Sequence, residues 1–197
     1  MICAFCRATA LALAVVVGGS AASASTYTLG GANGQSSMYS YVADGVQMRV
    51  TGERKSFFGW GSANVTRNAG GLGVKGGWDT DSDLDGFFKE RITFSFGTPV
   101  KLDNVLFSDV DSDDQWDIFV DGALFANNSS MNAFLFGGIM ADTLTVRASD
   151  WDDSFRVKSV TTRAGVIVPA AVPVPAAGLL LLSALVGFGE LRRRKRA

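Results

Sequence analysis

The sequence predicts an all-β fold: an antiparallel two-sheet sandwich, jelly-roll-like, flanked by an N-terminal signal peptide and a C-terminal transmembrane helix. Three observations carry this prediction. Short stretches of alternating apolar and polar residues recur between turn signals spaced about 8–12 residues apart. Two Asp-Gly pairs, Asp44-Gly45 and Asp121-Gly122, separate such stretches, and Asp-Gly favours the two-residue hairpin turn. Fourteen Phe and four Trp offer a core, and no segment between residues 25 and 163 repeats its apolar residues at helical spacing.

Each element follows from its own pattern. Met38–Ala43 and Val46–Thr51 alternate on either side of the first Asp-Gly turn, and Ser62–Arg67 reads as a short strand. Ala69–Gly77, AGGLGVKGG, is too rich in glycine for a helix and predicts a close-packed loop or strand crossing. Glu90–Phe96 places Ile92, Phe94 and Phe96 on one face. Val100–Phe107 and Trp116–Val120 obey the same alternation, and the second Asp-Gly turn leads into Ala123–Ala126. Asn132–Phe136, Thr143–Arg147 and Ser154–Thr162 complete a set of about nine or ten strands.

The two ends differ in kind from this domain. Met1–Arg7 carries one positive charge, Ala8–Val17 is apolar, and Ala22-Ser23-Ala24 is a small-x-small site, so residues 1–24 read as a signal peptide cut after Ala24. Both cysteines, Cys3 and Cys6, fall in that segment, which leaves the domain at 25–163 without disulfide or thiol chemistry. Residues 164–175 form a Pro-containing linker and motif. Pro173 and Pro175 lack N–H donors and extend the residues before them, so a helix begins after Pro175. Residues 176–191 read as a transmembrane helix. Its uncharged run, Ala176–Gly189, falls short of the roughly 20 residues of an ordinary span; Leu191 and snorkelling arginine stems extend it. Arg192, Arg193, Arg194, Lys195 and Arg196 follow as a basic stop, which sets 192–197 in the cytoplasm and the domain across the membrane.

The order of Pro motif, short apolar helix and terminal Arg cluster resembles the PEP-CTERM protein-sorting tail of Gram-negative bacteria. Val172-Pro173-Val174-Pro175-Ala176 is similar to the VPLPA-type variant and departs from it at Val174, where Leu is usual. The resemblance implies an exosortase or archaeosortase-like membrane protease as partner, and cleavage near the Pro motif. It also implies transient anchoring in the inner membrane with the domain in the periplasm, then delivery to the cell surface or the extracellular polysaccharide matrix. A looser likeness joins Gly71–Val74, the acidic loop after it, Glu90 opening a Phe-rich strand and the later Val-Asp-Gly turn to the uncharacterised sandwich ectodomains that carry such tails.

Charge and composition narrow the function classes. The chain has 18 Lys+Arg and 19 Asp+Glu; without Arg7, the five basic tail residues and Glu190, the domain carries about −6. That sign disfavours nucleic acid, whose phosphates need basic partners, and suits cations or plain solubility. There is no histidine, which excludes Ser-His-Asp, Cys-His and His-ligated zinc chemistry. Gly59-Trp60-Gly61-Ser62-Ala63 has only the outline of a nucleophile elbow, with no partner base. Glu53 and Glu90 are the domain's only Glu residues, and no buried Glu pair of glycosidase type is indicated. The expectation is a protein without enzymatic activity.

Acidic loops and loop-borne Trp residues are the candidate binding groups. Asp79, Asp81, Asp83 and Asp85 alternate before Gly86, with Glu90 close behind, and Asp109, Asp111 and Asp113 alternate in a second loop. Calcium takes six to eight oxygens, and alternate carboxylates in a curled loop can supply several. Asp81-x-Asp83-x-Asp85-Gly86 matches the first half of an EF-hand loop, but Ile92 stands where the closing Glu is needed. The same pattern serves solvated turns, since Asp side chains bond nearby backbone N–H groups. A third cluster is Asp150-Trp151-Asp152-Asp153. Trp60, Trp78 and Trp151 sit beside Gly or Asp, where a ring either stacks on a sugar or caps the core. The sequence therefore reads first as an exported, surface- or matrix-associated protein sorted through its tail. A calcium-dependent carbohydrate-binding module is the alternative.

Overall fold

The structure, a computed structural model, describes residues 23–77 and 82–165. The expected signal peptide through Ala22, the segment with Trp78, Asp79 and Asp81, and the expected sorting motif, transmembrane helix and basic stop lie outside the described residues. Among the described residues no helix is long and apolar enough to cross a membrane.

The domain is all-β. Its strands are β1 (Ala24–Thr28), β2 (Gly34–Ser36), β3 (Met38–Ala43), β4 (Val46–Ser56), β5 (Gly59–Arg67), β6 (Leu72–Lys75), β7 (Leu84–Asp85), β8 (Glu90–Ser108), β9 (Trp116–Val120), β10 (Ala123–Ser129), β11 (Ala133–Ala148) and β12 (Ser154–Ala164). All their pairings are antiparallel. Both Asp-Gly turns form as expected. Asp44 and Gly45 have φ of 47° and 78°, and Asp121 and Gly122 have 49° and 79°, the pair of left-handed residues that matches a hairpin's twist.

The many antiparallel strands are consistent with the expected sandwich, though their hydrogen bonds do not divide them into two separate sheets. They form one continuous network in the order β1-β12-β6-β5-β4-β8-β11-β9-β10, and a further β12–β8 ladder closes part of it into a ring. The first part of β8, Met48's partner Phe96 back to Glu90, pairs with β4, whereas Val100–Ser108 pairs with β12. On its other edge β8 pairs with β11 along both parts. Segments 90–96 and 100–107, read from sequence as two strands, are thus one strand with a bulge: Phe96–Pro99 lie opposite the single residue Asp142. Pro99 sits in that bulge, where a missing N–H breaks no ladder bond. Segments 132–136 and 143–147 fuse in the same way into β11, across Gly137 and Gly138 at φ 70° and 82°. Three short strands, β1, β2 and β7, escaped the sequence reading because their inward side chains are few; β1 turns only Ser25 and Tyr27 inward.

The glycine-rich stretch does cross another strand closely. A Cβ on Gly71 would lie 2.3 Å from the Val157 carbonyl oxygen, and one on Gly73 would lie 2.2 Å from that of Ser82. Val74, Leu72 and Leu84 are buried beside them. In the core, Phe107 stacks on Trp116 at 4.8 Å and meets Phe155 edge-on at 5.6 Å. The expectation that the Phe residues as a set build the core fails in part. Phe94, Phe96, Phe107, Phe136 and Phe155 are buried, but Phe57, Phe58 and Phe87 are exposed.

Gly71→Ala and Gly73→Ala force backbone apart, so each is expected to destabilise the domain by about 3 kcal/mol or more. Gly122→Ala meets nothing within 4 Å and only inherits a left-handed φ; it is expected to cost about 1–2 kcal/mol. Urea midpoints of the three variants check the ranking.

Candidate functional site

The acidic loops and the exposed aromatics gather at one end of the sheet, where β8 begins and β12 starts. Three turns meet there: residues 86–89, 109–115 and 149–153. Gly86 N donates to the Asp153 carbonyl at 2.9 Å, and Ser149 N donates to that of Gln115 at 3.2 Å.

Two buried carboxylates clasp these turns. Asp153, 1 % exposed, accepts Gln115 N at 2.7 Å on Oδ1, and Ser149 N at 2.7 Å and Asp150 N at 2.5 Å on Oδ2. Asp114 accepts Ser154 N at 2.7 Å and Asp111 N at 2.6 Å. Gln115 of one turn thus donates to Asp153 of another, Ser154 at the start of β12 donates back to Asp114, and loop N–H groups with no strand partner are satisfied. Burial pushes the Asp153 carboxyl above its ordinary 3.8, with nearby Asp114 adding to the rise, while the bonds from Asp150, Gln115 and Ser149 oppose it. A third buried carboxylate, Asp117, pairs with Arg147 and accepts Ser149 Oγ at 2.9 Å and Asn128 N at 3.1 Å.

The carboxylates proposed from sequence as calcium ligands have other contacts here. Asp83 pairs with the buried Arg156 at 2.5 Å and accepts Ser154 Oγ at 3.3 Å. Asp109, at φ 58°, lies 3.7 Å from the same guanidinium. Asp85 accepts Phe87 N at 2.6 Å, and the buried Glu90 accepts Asp85 N at 3.2 Å. Asp111 and Asp113 are exposed. Among the described residues no group of three or more acidic side chains could hold a metal ion; Asp79 and Asp81 lie outside them.

Of the candidate Trp residues, Trp60 is half-buried with the Arg91 guanidinium 4.0 Å from its ring centre, and Glu53 holds that arginine at 2.8 Å. One face of Trp60 is therefore covered. Trp151 is 70 % exposed. Sequence reasoning missed Asp114, Asp153 and Arg156 as the organising groups, because alternate spacing marks a loop as acidic without telling which carboxylate turns inward. It also missed Phe57, Phe58 and Phe87, for which the available signal was an apolar pair, Phe57-Phe58, standing where turn residues belong.

A carboxyl with a raised folded pKa contributes stability that is full below its unfolded value and lost as pH rises through the folded one. Relative to Asp153→Asn, whose side chain does not titrate, the wild type is therefore expected to lose stability as pH rises from about 3.8 through the raised pKa. Asp153→Asn also turns an NH2 toward N–H donors, a constant cost of about 1–3 kcal/mol. Paired urea titrations between acid and neutral pH check both parts.

No family model matches this chain, and no curated protein does. One solved structure is similar over 74 % of this chain and 99 % of its own, at 12 % identity and a TM-score of 0.27; its title is "X-ray structure of GH31 CBM32-2 bound to GalNAc". At that score the likeness carries no argument about fold or ligand.

Proposed function

We propose that this chain is an exported, non-enzymatic β protein that a membrane protease of exosortase type sorts through the C-terminal tail and delivers to the cell surface or the extracellular matrix. The carrying observation is the order of Val172–Ala176, the apolar run to Gly189 and the basic stop at Arg192–Arg196. The signal-peptide pattern at 1–24 supports the same route. The non-enzymatic reading draws on the lack of histidine and on Asp114, Asp117 and Asp153 serving as acceptors for backbone N–H groups.

Following the full chain by blot in cells with and without the protease tests the proposal. A shorter, relocated product is expected only where the protease is present, and Pro173→Ala with Pro175→Ala should leave the long form in the membrane. Equal mass and location in all strains would sink it.

A second reading is favoured by Trp151, exposed between Asp150 and Asp152: a calcium-dependent carbohydrate-binding module. Calorimetry and thermal melts with calcium at about 5–10 mM, near the top of the extracellular range, are expected to show heat and stabilisation, and a glycan array to show calcium-dependent capture. Neither heat nor a shift in melting ends this reading.

A further inference from the structure

We infer that the β4–β5 hairpin tip docks on an anionic phospholipid surface, with Phe57 and Phe58 entering the acyl boundary and Lys55 and Lys89 at headgroup level. The inference goes beyond the proposed sorting route and does not rest on it.

The hairpin closes at the Ser56–Gly59 pair, with Ser56 Oγ donating to the Gly59 carbonyl at 2.9 Å. Its two tip residues are Phe57 and Phe58, 98 % and 96 % exposed. Such a tip ordinarily holds Gly, Asn or Asp, which supply turn conformations and face water without loss. Here two large apolar rings take those places, and their exposure shows that neither is packed on the core. A local rule broken with no gain in folding marks a site kept for something outside the domain.

The neighbourhood extends the apolar surface and adds charge. Lys55 N donates to the Lys89 carbonyl at 3.2 Å, which holds the 86–89 turn beside the hairpin. That turn presents Phe87, 67 % exposed, edge-on to Phe88 at 5.0 Å, and the Arg54 guanidinium lies 5.1 Å from the Phe88 ring centre. Lys55 and Lys89 are exposed. The nearest carboxylates on these strands are engaged: Glu53 with Arg91 and Asp85 with Phe87 N. Exposed Phe rings flanked by Lys55 and Lys89 thus stand at the hairpin tip, while the exposed Asp111, Asp113, Asp150 and Asp152 sit on the neighbouring turns of the same end. The two lysines beside the rings supply local attraction to an anionic surface.

The shape selects lipid over sugar or groove-bound peptide. Phe57 and Phe58 meet at 86° with centroids 5.5 Å apart, so they share no flat face on which a sugar ring could stack. They project from a two-residue tip rather than line a groove. A convex apolar wedge is buried most completely by a medium that closes around it, and the acyl boundary of a bilayer does so while lysine stems reach back to the phosphates.

The test uses the full chain in vesicles, with a nitroxide on Phe57→Cys or, at the opposite end of the domain, on the exposed Thr98→Cys. Both are made in a Cys3→Ser/Cys6→Ser background. Every variant carries the same tail, so tail insertion does not separate them. In vesicles of phosphatidylcholine with phosphatidylglycerol, the label at 57 is expected to become several-fold more accessible to oxygen than to a water-soluble nickel chelate. The label at 98 stays in water, and Lys55→Glu with Lys89→Glu returns position 57 to water. A label at 57 as wet as that at 98 overturns the inference, and so does equal insertion into pure phosphatidylcholine. Shielding with spin–spin broadening that disappears on dilution with unlabelled protein assigns the tip to a second copy and overturns it too.

Discussion

The whole domain hangs on β8. Its nineteen residues are bonded along both edges, to β4 and then β12 on one side and to β11 on the other. Ile92, Phe94, Phe96, Val100, Leu102, Val105 and Phe107 all turn inward from it. A single strand can serve two sets of neighbours only if it bends without leaving backbone groups unpaired in the core. The bulge at Phe96–Pro99 and the register shifts near Asp103 provide that bend. The inward phase changes across the second shift, from the even positions 92–102 to 105 and 107, so the apolar set stays on the core side.

Once β8 and β12 are placed, the loops at their shared end must be closed without strand partners. Acidic residues do this. Asp153 accepts N–H groups from two turns, Asp114 accepts them from its own turn and from the first residue of β12, and Arg156 draws Asp83 toward the base of β12. Asp85, Asp114 and Asp153 there have a structural role that needs no ligand: short carboxylates reach nearby N–H groups that have no strand partner. Burial of Asp153 opposes its charge while the N–H donors support it, so the clasp at this end responds to pH.

The aromatic residues divide by the same geometry. Those on β8, β9 and β12 interlock around Trp116, whose indole N–H reaches the Met131 carbonyl at 3.1 Å. Phe57, Phe58 and Phe87 stand on the tips that cap the start of β8, where no second layer covers them. The same end therefore carries both a tightly bonded polar clasp and an unburied apolar wedge.

Local rules in the sequence determined much of this protein. Period-two alternation defined the central strands, the two Asp-Gly pairs defined their hairpins, and glycine density at 69–77 announced a close crossing. Each of these depends on residues within a few positions of one another. The motifs read at the two ends are local patterns of the same kind and fall largely outside the described residues. Tertiary structure alone decided the rest. That 90–96 and 100–107 are one strand depends on Asp142 across the bulge, and that Asp153 rather than Asp152 is buried depends on Gln115 from a distant turn. Whether a phenylalanine enters the core depends on whether another strand lies over it. Phe94 and Phe57 read alike as residues, and only long-range pairing separates a core ring from an exposed one.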